Sequence, residues 1–121
     1  MFVRFVVGHE RENFRALTGI IRGRDYLAES GRIDDYQEER LRRHLDWLNR
    51  RLPTPPFSRE RWPADAVCWL RDDARATIQT LWKIAGVLRE SSVPVRVLRT
   101  ANPGRVLYRD EYQVVASPWR R

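Results

Sequence analysis

The run FVRFVV at residues 2–7 most constrains what this chain of 121 residues can fold into. Apart from Arg4, every residue in it is apolar and either β-branched or aromatic, which is typical of a strand buried on both faces. Residues 93–100, VPVRVLRT, predict a second strand, and the alternation that starts at Arg105 predicts a third. The sheet therefore draws its strands from both ends of the sequence.

Helical patterns fill the sequence between the first strand and the second. One follows Gly8 and places Phe14, Leu17 and Ile21 on a single stripe. The next begins at Asp34, where Gln37 stands three residues later with the spacing of a capping box. Its apolar stripe consists of leucines at helical spacing: Leu41, Leu45, Leu48 and Leu52.

A third helical region is predicted at residues 67–88, where an apolar residue recurs at every third or fourth position. An N-cap at Asp72 would separate the preceding stretch, AVCWL, from this helix as a turn of its own. After the second strand, residues 101–104 (ANPG) have the composition of a tight turn. That turn predicts that the last two strands form a C-terminal hairpin.

The order strand, helices, strand, strand predicts an α+β fold. We expect a single domain over residues 1–121, with one small sheet of at least three strands covered by about three helices. Hydrophobic residues make up 42% of the sequence, which favours a folded protein over a disordered one.

The scarcity of cysteine and histidine limits the chemistry. Cys68 is the only cysteine and cannot form an internal disulfide, so a cytoplasmic location is expected. No stretch has the apolar length of a signal peptide or a membrane span, so no membrane association is expected. His9, His44 and Cys68 show no metal-ligand spacing, and no phosphate-binding loop is present, so no metal or cofactor is expected.

Positive charge is concentrated toward the C-terminus. The formal net charge is +7, and residues 93–121 contain six arginines against Asp110 and Glu111, a surplus of four. Arginine forks suit phosphates and carboxylates. The leading hypothesis is a non-enzymatic binding or regulatory module of bacterial character that contacts nucleic acid or an acidic protein. The candidate contact residues are Arg96, Arg99, Arg105, Arg109, Trp119 and Arg120. An arginine content set by GC-rich codons is the competing explanation.

Two other functions remain open. The protein could be an interaction subunit or a homo-oligomer that associates through its five tryptophans and the proline-rich segment at residues 53–63. It could also be a small hydrolase or nuclease in which His9, with Glu10 and Asp110, supplies a general base and an acid. Asp110 falls among core-facing residues if one strand runs through it. A β-bulge, a turn, or a buried partner such as Arg4 would then have to accommodate the carboxylate.

Overall fold

The computed structural model of the protein describes residues 1–7, 18–19, 33–53, 63 and 66–119. These residues form six strands and two helices: β1 (Phe2–Val7), β2 (Thr18–Gly19), α1 (Asp35–Arg51), β3 (Val67–Arg71), α2 (Arg75–Glu90), β4 (Val95–Thr100), β5 (Arg105–Arg109) and β6 (Gln113–Ser117). The α+β class is confirmed. The described part of the chain contains two helices, where about three were expected.

All strand pairs in the sheet are antiparallel. β4 pairs with β1 along its whole length, which leaves the other edge of β1 to β3 at its first residues and to β2 at its last. The strand order across the sheet is therefore β4-β1-β3-β6-β5, with β2 beside β1. The first strand of the sequence lies in the interior of the sheet, as its apolar composition predicts.

The sheet is strongly curled, because a short linker joins its two outermost strands. Thr100 ends β4 beside the start of β1, whereas Arg105 begins β5 at the opposite end of the strands, beside Ser117. In a flat sheet, four inter-strand spacings alone would separate β4 from β5 by about 19 Å. The five residue steps from Thr100 to Arg105 span at most about 18 Å, which is less than this separation even before the chain moves along the strands.

Both helices pack on one face of this sheet. The register places Val3, Phe5 and Val7 of β1 on that face, and all three belong to the main buried core. The helices contribute their apolar stripes to the same core: Leu41 and Leu48 from α1, and Leu81, Ile84 and Leu88 from α2. The opposite face also buries side chains, among them Val6, Trp69 and Val114.

The beginning of α1 confirms the capping box. The Asp34 carboxylate accepts a hydrogen bond from the Gln37 amide at 2.7 Å, and the Gln37 side chain accepts one from the Asp34 amide at 3.2 Å. The same end of α1 is tied to the end of α2, where Arg40 forms an ion pair with Glu90 at 3.0 Å. The two helices therefore pack as an antiparallel pair.

The helix predicted at residues 67–88 is wrong at its beginning. Residues Val67–Arg71 form β3, a central strand, and α2 starts only at Arg75. Asp72 does not cap this helix. Its N-cap is Ala74, which makes no side-chain capping bond. The stretch is short and apolar, so its spacing fitted a helix equally well, and pairing with β1 and β6 made it a strand.

The helix expected after Gly8 is wrong at Thr18–Gly19, which pair with Val7 and Val6 of β1 as β2. The rest of that predicted helix lies outside the described residues. The predicted C-terminal hairpin is also wrong in its partners, because β4 pairs with β1 and the hairpin is formed by β5 and β6. Within the part of the chain that the structure describes, no helix has the length and apolarity needed to cross a membrane.

Candidate functional site

The predicted arginine surface is divided by the topology. Arg96 and Arg99 lie on β4 and Arg105 and Arg109 on β5, the two outermost strands of the sheet order. They therefore do not share a two-stranded ribbon. Arg96 is half-buried and the other three are exposed. Arg120 lies outside the described residues.

A groove nevertheless brings two of the predicted contact residues together. Residues 101–104, here called the linker, and Pro118–Trp119, here called the tail, meet over the sheet face that points away from the helices. The groove they enclose has a volume of about 540 Å³. We call it the linker–tail groove, and its lining consists of Trp69, Leu98, Arg99, Thr100, Asn102, Pro103, Pro118 and Trp119.

The side-chain oxygen of Asn102 holds the linker to the tail. Asn102 Oδ1 accepts hydrogen bonds from Trp119 Nε1 at 2.9 Å and from the Gly104 amide at 3.3 Å. Thr100 Oγ1 fixes the beginning of the linker by donating to the Asn102 carbonyl and accepting from the Asn102 amide, both at 3.1 Å. The position of the tail is thus set by the linker.

Gly104 is required where the linker meets the end of β6. Its φ of +118° lies in a region that residues with a Cβ rarely adopt. A Cβ at this position would also overlap the Ser117 carbonyl oxygen. Glycine therefore allows the linker to pass directly over the end of β6.

The groove combines an aromatic side, a closed floor and one positive charge. The Trp119 side chain is 59% exposed, whereas Trp69 beneath it is only 2% exposed. Arg99 is the one charged residue among the described residues that line the groove. Because Arg99 pairs with Val3, its side chain leaves the outermost strand β4 on the face opposite to Leu98 and Thr100, so its charge lies at the rim of the groove. A planar ligand that carries negative charge fits this combination, because it can stack on the indole and pair with the guanidinium.

Arg109 lies in a different environment. It lines a separate depression of about 310 Å³, which also contains Arg71 and the carboxylates of Asp72, Asp73 and Asp110. Arg71 forms an ion pair with Asp73 at 2.9 Å within it. Acidic neighbours weaken attraction for phosphates, so this depression is a poorer anion site than the linker–tail groove.

Asp110 lies in the turn that separates β5 from β6, one of the three arrangements considered for it. Its Oδ1 accepts from the amides of Tyr112 and Gln113, and its Oδ2 accepts from the Tyr108 hydroxyl and Gln113 Nε2. Burial raises the pKa of Asp110, but the hydrogen bonds from Gln113, Tyr112 and Tyr108 outweigh it and leave the pKa lowered. The Arg4 guanidinium donates instead to the Cys68 carbonyl at 3.4 Å.

Gln113 links this turn to the single cysteine, and sequence reasoning missed it. Its side chain is 3% exposed, donates to the Pro53 carbonyl at 2.7 Å and lies 3.0 Å from the Cys68 sulfur. Burial raises the pKa of Cys68 to about 12. The thiol therefore stays protonated at neutral pH and is a weak nucleophile.

The other predicted functional residues are only partly described. His9 and Glu10 lie outside the described residues, so their distance to Asp110 is untested. Trp47 packs against the core with Arg51 over its ring at 5.0 Å. Trp82 is 41% exposed and meets Phe5 edge to face at 5.0 Å. Trp62 and most of the proline-rich segment lie outside the described residues.

Comparison with known proteins adds no functional information. The chain matches no protein-family model, no curated protein and no solved structure.

Proposed function

We propose that this protein binds single-stranded nucleic acid in the linker–tail groove. The observation that carries the proposal is the convergence of Arg99 and Trp119, 20 positions apart in the sequence, on one groove. Both are among the contact residues predicted from the sequence, Arg99 for its charge and Trp119 for its place in the C-terminal tail. The hydrogen bond from Trp119 to Asn102 holds the indole in place before any ligand arrives.

The chemistry of an unpaired nucleotide matches this groove. A base can stack on the exposed face of Trp119, a contact worth about 1–3 kcal/mol per base that tolerates any sequence. The Arg99 guanidinium can then pair with a neighbouring phosphate. The net charge of +7 adds a long-range attraction for polyanions.

The topology favours single strands over duplexes. An arginine-bearing two-stranded ribbon could enter a major groove, but β4 and β5 do not pair with each other. In a duplex the bases are already stacked and are not free to contact an indole. An acidic protein would satisfy Arg99 but would leave the aromatic side of the groove unused.

Binding of labelled 12-nucleotide single strands and of the matching duplex, across a salt series, tests this proposal. We expect the wild type to bind the single strands more tightly, with affinity falling as salt rises. The Arg99→Ala variant should bind more weakly and reduce the magnitude of the salt slope by about 1. Arg75→Ala removes an exposed arginine at the start of α2 and is the matched control.

Substitutions at Trp119 separate stacking from charge. Trp119→Phe keeps an aromatic face but loses the indole hydrogen bond to Asn102, so its affinity should fall about three- to tenfold, whereas Trp119→Leu should lose about 1–3 kcal/mol more because it cannot stack. Fluorescence anisotropy measures both. Equal affinity of the Phe and Leu variants would contradict base stacking. Polyglutamate that binds as tightly as the oligonucleotide would favour an acidic protein partner, and salt-tolerant self-association would favour the interaction-subunit alternative.

A further inference from the structure

A second groove lies between the two helices, on the opposite side of the sheet from the linker–tail groove. It has a volume of about 290 Å³. We call it the interhelix groove, and its lining consists of Arg43, His44, Trp47 and Arg50 from α1 and Ala76, Gln79, Thr80 and Lys83 from α2. Helical periodicity explains this set, because positions three, four and seven apart share one helix face.

The lining of the interhelix groove is one-sided in charge. Among the described residues that line it are Arg43, Arg50 and Lys83 and no carboxylate. Arg43 forms an ion pair with Glu39 at 3.6 Å, and both of these side chains are mostly exposed. Within the described part of the chain, neither Arg50 nor Lys83 takes part in an ion pair. Among the described residues, two cations of the groove are therefore not engaged by a carboxylate.

His44 reports the positive field inside the groove. Burial lowers the pKa of His44, and the charges of Lys83, Arg40 and Arg43 lower it further. These groups reach the imidazole from both helices, since Lys83 belongs to α2 and the arginines to α1. An anion bound beside this neutral ring would offset the surrounding positive charge and would favour protonation of His44.

We propose that the interhelix groove binds a phosphate-bearing small molecule. Lys83 and Arg50 pair with the phosphate oxygens, the Gln79 amide donates a further hydrogen bond, and His44 takes up a proton as the anion enters. The volume lies near the lower limit of about 300 Å³ for ligand pockets, which suits a phosphorylated metabolite better than a polymer. This site is independent of the nucleic-acid proposal, because Arg99 and Trp119 line the other groove.

Titration of the full-length protein with pyrophosphate, followed by NMR of the His44 ring, tests the site. A His9→Gln variant assigns the two histidines. We expect saturable shifts at His44 and an upward move of its titration midpoint with ligand. Lys83→Ala and Arg50→Ala should each weaken pyrophosphate binding about tenfold. Arg42→Ala removes a neighbouring exposed arginine that does not line the groove, and its affinity should match the wild type.

Two outcomes would overturn this proposal. Equal weakening in all three variants would show a nonspecific charge effect, and linear, unsaturated shifts would show that no site exists. Titration with a 12-nucleotide single strand distinguishes the sources of phosphate. If the oligonucleotide perturbs His44 and pyrophosphate does not, the groove contacts a polymer and the small-molecule site is wrong. If the Arg99→Ala variant still binds pyrophosphate, the interhelix groove binds phosphate independently of the linker–tail groove.

Discussion

The Asp110 carboxylate organises the turn of the β5–β6 hairpin. It accepts two backbone amides on one oxygen and two side-chain donors on the other, so both oxygens are engaged. One of the side-chain donors is Gln113, whose own oxygen is occupied by the Cys68 thiol. Rotating the Gln113 amide to suit a changed partner would therefore break the contact with the thiol.

Asp110→Asn should lower the free energy of unfolding by about 1–3 kcal/mol, because an amide group would replace one acceptor and face the Gln113 donor. Urea unfolding measures the change. Glu111→Gln, at the exposed neighbouring carboxylate, should alter stability by less than about 0.5 kcal/mol. Equal effects of the two substitutions would show that the hydrogen bonds do not stabilise the turn.

The lowered pKa of Asp110 predicts an acid-sensitive contribution to stability. Aspartate in the unfolded chain has a pKa of about 3.9, above the pKa of Asp110 in the folded protein. The contribution is therefore fully present above about pH 4 and is lost as the pH falls through the folded value. The stability difference between wild type and Asp110→Asn should shrink on acidification. A stability difference between the two proteins that grows below about pH 4 would contradict a lowered pKa for Asp110.

Two glycines in different elements should respond oppositely to alanine. Gly86 lies exposed in α2, and a Cβ there would meet nothing within 4 Å. Gly86→Ala should stabilise the protein by about 0.5–1 kcal/mol, because alanine is the better helix former. Gly104→Ala should destabilise it by about 1–3 kcal/mol, since its positive φ and its contact with Ser117 exclude a side chain. Thermal unfolding of both variants checks this, and destabilisation at Gly86 would contradict the helical environment.

The elements differ in how far the sequence predicts them. Helix α1 is predictable because its signals are local: Asp34 and Gln37 contact each other, and the leucine spacing sets the buried face. Strand β3 is not, because VCWLR is buried on both sides of the sheet and shows no alternation. Its identity depends on partners about 45–70 residues away in the sequence. The same limit explains the hairpin: residues 101–104 connect β4 to β5 but form no hairpin turn, because β4 pairs with β1.

The candidate site was likewise predictable only where its signals are local in the sequence. Charge singled out Arg99, and its place in the tail singled out Trp119, but their meeting in one groove depends on the curl of the whole sheet. The sequence pattern marked Asn102 only as a turn residue. Its hydrogen bond to Trp119 requires the tail to return across the linker, which no local pattern specifies. The interhelix groove likewise needs the antiparallel packing of α1 against α2.

At the level of the whole molecule, Asn102→Ala tests whether the linker preorganises the binding groove. Removing the shared acceptor frees Trp119, and we expect oligonucleotide affinity to fall about three- to tenfold as ordering shifts to the binding step. Asn49→Ala, at an exposed position of α1, is the matched control and should bind normally. Fluorescence anisotropy gives the affinity. If Asn102→Ala binds the oligonucleotide as tightly as the wild type, the hydrogen bond between Trp119 and Asn102 does not contribute to ligand recognition.

The interior position of β1 has a consequence for how the protein is made. Val7 pairs with Val95, so the strand emerges from the ribosome about 90 residues before its longest partner. At about 5–20 residues per second, that interval lasts roughly 5–20 s. Throughout it, the edge of β1 that pairs with β4 in the folded protein is open and available to other nascent chains, although β2 and β3 are made earlier for the other edge. Slow synthesis or a lack of chaperones should therefore reduce the yield of folded protein through aggregation of this segment, without any change in the stability of the finished fold.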